Sequence, residues 1–490
     1  MLLLWKQTPS RDVVCWSLTS YAVMLLSLKA ADITPSRSGE IAFSFGGDSA
    51  DDSSGLCSRV PKRQRTHHQR ARLPRLMTMP SNHFHRQQGR AFPGGTEASH
   101  SGDGCVGTGP ASDERNPFTQ LSRLVPVGAT RFASARDWNR DKNLAEYRSG
   151  ELVLQSRPRY MLVELTQGCN LQCEMCRSQR IGISSSRLDS ALFRRVAEEL
   201  FPTAELVDLR GWGESLLLPN ICEVMRYTRS FGCDVRFVTN LSFNRKAVLA
   251  ALAEHHCYVA VSLDSAEVDV LLNLRRGASL ARIRSNLKIL VSQCRALHGN
   301  SDRIVLNCTV QAPALATLES LVTFAAEVGV PEVRLASVSA SKKPHLSLCG
   351  RDEDVAAALQ LVQRTGEQHG IRVVAATHFA GLPESDPHKM ACLRPWSFAC
   401  VNVDGLVGFC DHLIGPFARK YLIGDLRVSG FTEIWNSDQW QELRREHRGP
   451  RRAGAEMFSH CDWCYRKRFV EFEDLFLPEL GPAKINLSTT

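Results

Sequence analysis

From residue 159 onward the chain alternates short apolar runs with stretches whose apolar positions recur every three or four residues. The runs YMLVEL (160–165), LVDLR (206–210), DVRFVT (234–239), YVAVSL (258–263), RIVLNCTV (303–310) and EVRLAS (332–337) predict strands. They are short, rich in β-branched residues and nearly continuous, as strands covered on both faces are. Helical spacing follows most of them, at 188–200, 219–230, 280–297 and 315–328. Six β/α repeats of this kind predict a parallel sheet with right-handed crossovers, an α/β fold of open or closed barrel form. Ligands of such barrels bind at the carboxyl ends of the strands.

The first 125 residues lack this pattern. Residues 31–120 are dominated by Ser, Gly, Arg, His and Pro and include the basic run RVPKRQRTHHQRARLPR at 59–75. A nucleic-acid or acidic-lipid tail and a solvated, disordered extension both fit that composition, and the second is the reading adopted. A start at Met77 or Met79 would remove most of it. The apolar stretch 13–30 follows Lys6 and Arg11 in the manner of a secretory signal, but Ser and Thr interrupt it and it is short for a membrane span. Of the net charge of +9, the first 125 residues carry +5. The remaining body is balanced, so neither a nucleic acid nor a membrane is expected as partner.

Seventeen cysteines change the picture. Cys169, Cys173 and Cys176 stand in TQGCNLQCEMC, directly after the first strand. Three thiolates on one tight loop can each hold one iron of a [4Fe–4S] cube and leave the fourth iron open. Structural zinc is the competing reading, but it takes four ligands in paired knuckles. A second set follows the barrel: Cys392, Cys410, Cys461 and Cys464, with an Asp404-Gly405 hairpin signal between the first two. Four thiolates suffice for a fully ligated auxiliary [4Fe–4S] cluster, with structural zinc again the alternative. Iron sites of this kind need a reducing compartment, which points to the cytoplasm.

The three-cysteine loop resembles that of the radical S-adenosylmethionine (SAM) superfamily, whose members bind SAM at the open iron on a partial (βα)6, TIM-like barrel. The resemblance extends to LRGWGESLLLP, where Gly211, Gly213 and Glu214 correspond to a segment that holds the methionine amine, with Trp212 inserted and Ser215 where Pro is common. It places Met175 beside the adenine, Asn240 at the end of strand three, Ser262 and Asp264 at the ribose hydroxyls, and Arg275 or Arg276 at the SAM carboxylate. The tail is similar to the SPASM/twitch extension of these enzymes, in the short form with one auxiliary cluster. In particular it is similar to 2-deoxy-scyllo-inosamine dehydrogenase-like enzymes of aminoglycoside biosynthesis. The implied organisation is an extension (1–125), a barrel (126–337), a bridging segment (338–391), a small hairpin/helix auxiliary domain (392–475) and a tail (476–490).

The resemblance implies an oxidoreductase. Its 5′-deoxyadenosyl radical would take hydrogen from a carbinol carbon of a sugar or aminocyclitol, and the auxiliary cluster would accept the second electron. A flavodoxin or ferredoxin would supply the first. Three alternatives stay open at this point. A redox-neutral epimerase would need a thiol hydrogen donor, for which Cys349 and Cys400 come first. A peptide-modifying enzyme usually carries an amino-terminal peptide-binding module, which residues 1–150 do not show. An electron carrier or redox sensor would explain two clusters but not an open iron.

Overall fold

The computed structural model describes residues 129–176, 186–338, 343–375, 392–413 and 421–448, together with Cys461. The expectations for residues 1–125 and 476–490, and for Cys464, lie outside the described residues.

Ten strands form one sheet: β1 (Tyr160–Val163), β2 (Leu206–Asp208), β3 (Asp234–Thr239), β4 (Tyr258–Ser262), β5 (Ile304–Val310), β6 (Glu332–Ser337), β7 (Arg372–Ala375), β8 (Phe398–Val401), β9 (Leu406–Gly408) and β10 (Leu422–Asp425). Their order is β10-β9-β8-β1-β2-β3-β4-β5-β6-β7. Every neighbouring pair from β1 through β7 is parallel. The helices are α1 (Ala133–Ser149), α2 (Ser190–Leu200), α3 (Ile221–Ser230), α4 (Lys246–Glu254), α5 (Val268–Leu274), α6 (Leu280–His298), α7 (Ser320–Val328), α8 (Asp352–His369), α9 (Arg394–Ser397), α10 (Phe431–Trp435) and α11 (Asp438–His447).

Local chemistry explains the helices. In α2 the Asp189 carboxylate caps the first turn by accepting from Leu192 N at 2.9 Å. Phe193, Val196, Ala197 and Leu200 then recur on one face and are buried there. In α6 Ser279 is the cap, the buried stripe runs through Ile283, Leu287, Leu290 and Cys294, and Gly299 ends the helix at φ +76°. The strands β1 and β2 are buried at every position, which accounts for runs without alternation.

Two features differ from the sequence expectation. The segment 338–391 is more than a bridge, because α8 and β7 add a seventh parallel strand beside β6. The run RVVA is four residues long and lies at an edge, below the length at which periodicity identifies a strand. The iron–sulfur segment is also continuous with the barrel sheet. Strand β8 pairs in parallel with the free edge of β1, Tyr160 opposite Phe398 through Val163 opposite Val401. Strands β9 and β10 then extend it antiparallel, around the Asp404-Gly405 turn, with Gly405 at φ +77°.

Indoles lock this edge. Trp396, Trp435 and Trp440 are fully buried. Trp396 and Trp435 donate to Glu151 O (2.8 Å) and Ser156 O (3.0 Å), tying α9 and α10 to the chain that enters β1, and Trp440 donates to Pro395 O (3.0 Å), tying α11 to α9. Among the described residues no helix is long and apolar enough to cross a membrane.

Candidate active site

The loop after β1 carries Cys169, Cys173 and Cys176 and is held from three sides. Gln172–Cys173 forms a two-stranded antiparallel ladder with Arg275–Arg276. Asn170 Nδ2 donates to Ser242 O at 2.8 Å, and Asn240 Nδ2 donates to Asn170 Oδ1 at 2.9 Å. The loop after β2 lies against the third side, with Gly213 N on Thr166 O (3.2 Å) and Glu214 N on Gly168 O (2.8 Å). Only glycine fits there: a Cβ on Gly213 would lie 2.5 Å from Gly168 O and 2.6 Å from Thr166 O.

Glu164 is the hub beneath both loops. It is 1% exposed and accepts from Trp212 N (2.9 Å), Val403 N (3.2 Å) and Gln167 Nε2 (3.3 Å). One carboxylate thus joins the end of β1, the glycine loop and the hairpin of the auxiliary segment. Burial raises its pKa against those hydrogen bonds.

These loops enclose a cavity of about 330 Å³. Its walls include all three loop cysteines together with Gly211, Gly213, Glu214, Asn240, Ser262 and Arg275. Nine residues singled out from sequence therefore meet at the carboxyl ends of β1 to β4. Met175 is not on this wall; it packs against Leu274, Ala314 and Leu346. Asp264 is fully buried and bound to Arg275, so it does not line the cavity either. Cys349 is exposed, and Cys400 is buried within β8 with its thiol directed at Cys410 O (3.8 Å).

The donor set suits the groups that the sequence implies. Burial first, then Glu214 and the other two thiols, push Cys169 up to about 11, so a metal that binds there has to displace its proton. Among the described residues no three His, Cys, Asp or Glu side chains converge closely enough for a single metal ion. A cube takes one thiolate per iron at separate corners, so its ligands need not converge. Glu214 is 2% exposed, and desolvation pushes its pKa up to about 7 in spite of bonds from Asn240 N (2.7 Å), Thr239 and Leu216 N. A buried carboxylate in that condition favours a cationic ligand such as the SAM amine.

A prediction follows for SAM binding. Below its pKa Glu214 is protonated and neutral, so affinity for the SAM ammonium is expected to fall about tenfold between about pH 7.5 and pH 6. Glu214→Gln should weaken binding roughly 30-fold, from ~2 kcal/mol for a charge-assisted bond, and flatten the pH dependence. Equilibrium dialysis of SAM against the reconstituted protein reads both, and a pH slope unchanged in the variant would refute the assignment.

The cavity also contains residues that sequence reasoning missed. Arg210 and Asp411 line it beside the cysteines and Trp212. Arg210 pairs with Asp208 (3.0 Å) and with Asp411 (3.0 Å), and Arg394 holds the other oxygen of Asp411 at 2.9 Å. Tyr160 OH completes the network on Asp208 at 2.8 Å. The signal for Arg210 was its place at the end of a barrel strand; for Asp411 it was adjacency to Cys410. The Arg394–Asp411 pair brings together the segments of Cys392 and Cys410, which are both half-buried, and Cys461 packs on the same core.

Comparison with known proteins identifies the class. Residues 163–311 match the radical SAM superfamily and residues 392–465 match SPASM, an iron–sulfur cluster-binding domain. The chain therefore carries a radical SAM domain followed by a SPASM domain, with the SAM-binding [4Fe–4S] cluster, SAM and auxiliary iron–sulfur binding that these domains imply. Among curated proteins it is 24% identical, over 307 residues, to the tungsten-containing aldehyde ferredoxin oxidoreductase cofactor-modifying protein of Pyrococcus furiosus, covering 58% of this chain and 83% of that one. It is 22% identical over 343 residues to the AdoMet-dependent heme synthase of Methanosarcina barkeri, covering 65% and 91%. Among solved structures, Streptococcus suis SuiB bound to S-adenosylmethionine aligns at a TM-score of 0.49 and 15% identity, over 65% of this chain and 74% of that one.

Proposed function

We propose that the protein oxidises a secondary alcohol of a small polar substrate, a sugar or aminocyclitol, to a ketone. When bound, the open-iron cluster and SAM supply a radical that removes a hydrogen atom, a flavodoxin- or ferredoxin-type reductant feeds that centre, and the auxiliary cluster accepts the second electron. The observation that carries the reading is the shared cavity. Cys169, Cys173 and Cys176 line it together with Asp411, the neighbour of the auxiliary ligand candidate Cys410. A substrate held there would lie between an oxidant on one side and an electron acceptor on the other.

The chain's own residues have separable tasks in this reading. Gly211, Gly213 and Glu214 receive the methionine end of SAM, while Asn240 and Ser262 offer polar contacts along the same wall. Arg210 and Asp411 anchor substrate hydroxyls, and Asp411 takes the hydroxyl proton as the ketone forms. Asp411→Asn should lower turnover about a hundredfold or more while substrate-independent SAM cleavage persists. Loss of both activities together would reduce Asp411 to a structural role.

Redox-neutral epimerisation is the weaker alternative. Among the described residues no cysteine besides the loop three lines the cavity, and neither Cys349 nor Cys400 reaches it. By their names the two relatives above are a cofactor-modifying protein and a heme synthase, so the substrate class rests on Arg210 and Asp411 in the cavity wall and not on them. The deciding experiment is anaerobic incubation of the reconstituted chain with SAM, dithionite and candidate aminocyclitols. Stoichiometric 5′-deoxyadenosine with a product lighter by two hydrogens supports oxidation. An isobaric product that gains deuterium from heavy water would replace it with epimerisation.

A further inference from the structure

Asp264 and Arg275 form a buried pair at the edge of the cavity, which Arg275 lines and Asp264 does not. The carboxylate, just beyond the end of β4, is fully buried, accepts a hydrogen bond from Arg275 Nη2 (2.9 Å) and has Arg275 Nε in ion-pair contact at 2.8 Å. It accepts two further bonds, from Thr309 N (2.9 Å) and Gln311 Nε2 (3.2 Å). Three hydrogen bonds and the ion-pair contact hold the carboxylate and the guanidinium against each other. The remaining nitrogen, Nη1, then points at Cys173 Sγ from 3.9 Å.

The backbone enforces the same approach independently. Cys173 and Arg275 are register partners in the two-stranded ladder. Glu174 N donates to Leu274 O at 2.8 Å, and Ala278 N closes a turn onto Arg275 O at 2.9 Å. The ladder keeps the two backbones together, and Asp264 holds the guanidinium within it. Burying an ion pair contributes little net stability, so its orientation is the more informative property.

We infer that the Asp264–Arg275 pair is a positioning device that sets the reduction potential of the three-cysteine centre by holding an N–H dipole against the Cys173 sulfur. The inference rests on the reading of Cys169, Cys173 and Cys176 as iron ligands. The pair is neutral overall, with its positive end at the sulfur and its negative end behind. Reduction adds an electron to the centre, and hydrogen bonds to cluster sulfurs are among the factors that set its potential. A donor or positive charge at that sulfur stabilises the reduced state and raises the potential.

The test is a redox titration of the full-length, anaerobically reconstituted chain without SAM, following the reduced-cluster EPR signal that Cys173→Ala removes. Arg275→Met deletes the positive end, and its reduced-to-oxidised ratio at fixed potential should fall about tenfold, or 59 mV for one electron. Asp264→Asn leaves the guanidinium uncompensated and should move the ratio the other way. Arg275→Lys keeps the charge but loses the guanidinium and should fall between Arg275→Met and the parent.

Opposite shifts with iron and sulfide content retained support the inference. Shifts of the same sign in both variants, or none in either, overturn it. An unchanged potential with weakened SAM binding in Arg275→Met would also overturn it, in favour of a carboxylate clamp. Absence of the signal from the parent protein, or its survival in Cys173→Ala, is a different result and would reject the cluster reading itself.

Discussion

Replacing Cys173 by alanine is expected to halve the iron of the reconstituted protein, from about eight to about four atoms per chain, given four per cluster. SAM cleavage should fall well beyond the roughly 10–100-fold that loss of a supporting partner gives. The reason is coordination: three thiolates hold three irons, and two leave a second corner of the cube unanchored. Cys173 is the most informative of the three because its backbone is in the ladder with Arg275, so the loop should keep its path when the sulfur is gone. The buried tryptophans belong to α9, α10 and α11, and their near-ultraviolet dichroism reports whether the fold survives. An intact spectrum with unchanged iron and unchanged 5′-deoxyadenosine production would show that the loop is not the SAM-cleaving centre.

Cys410→Ala is expected to give the complementary result. About four irons should again be lost, one cluster's worth, while SAM cleavage continues and the ketone no longer forms. In chemical terms the hydrogen atom is still removed but the second electron has no acceptor. Asp411, the adjacent residue, is held by Arg210 and Arg394 and should remain in the cavity wall. Metal analysis separates the alternatives. Zinc in place of the second set of irons would make the site structural, and ketone formation at the parent rate would send the electron elsewhere.

Much of this was legible in the chain itself, for a physical reason that can be located. The strands at 234–239 and 332–337 coincide with β3 and β6 to the residue, each a short run of apolar positions interrupted by charged residues, Arg236 in one and Glu332 and Arg334 in the other, that are buried all the same. The cysteine loop and the glycine segment were equally visible, since iron ligation and a glycine without room for Cβ admit few residue types. Nine of the eleven candidates around the SAM centre line a single cavity. Met175 and Asp264 depart from it because the direction of a side chain is set by its neighbours, here Leu274 and Ala314 for one and Arg275 for the other.

Sequence alone determined the α/β class and the parallel strands β1 to β6, which follow from local patterns. Tertiary structure decided three things that depend on residues far apart in the chain. It joined the auxiliary segment to the barrel through β8 on β1, a pairing written in four hydrogen-bonding backbones and not in side-chain type. It placed Asp411 in the wall of the cavity beside the loop cysteines through its pairs with Arg210 and Arg394. It turned Arg275 away from solvent and onto Cys173, because a buried guanidinium must satisfy its fixed fork of donors wherever acceptors are supplied.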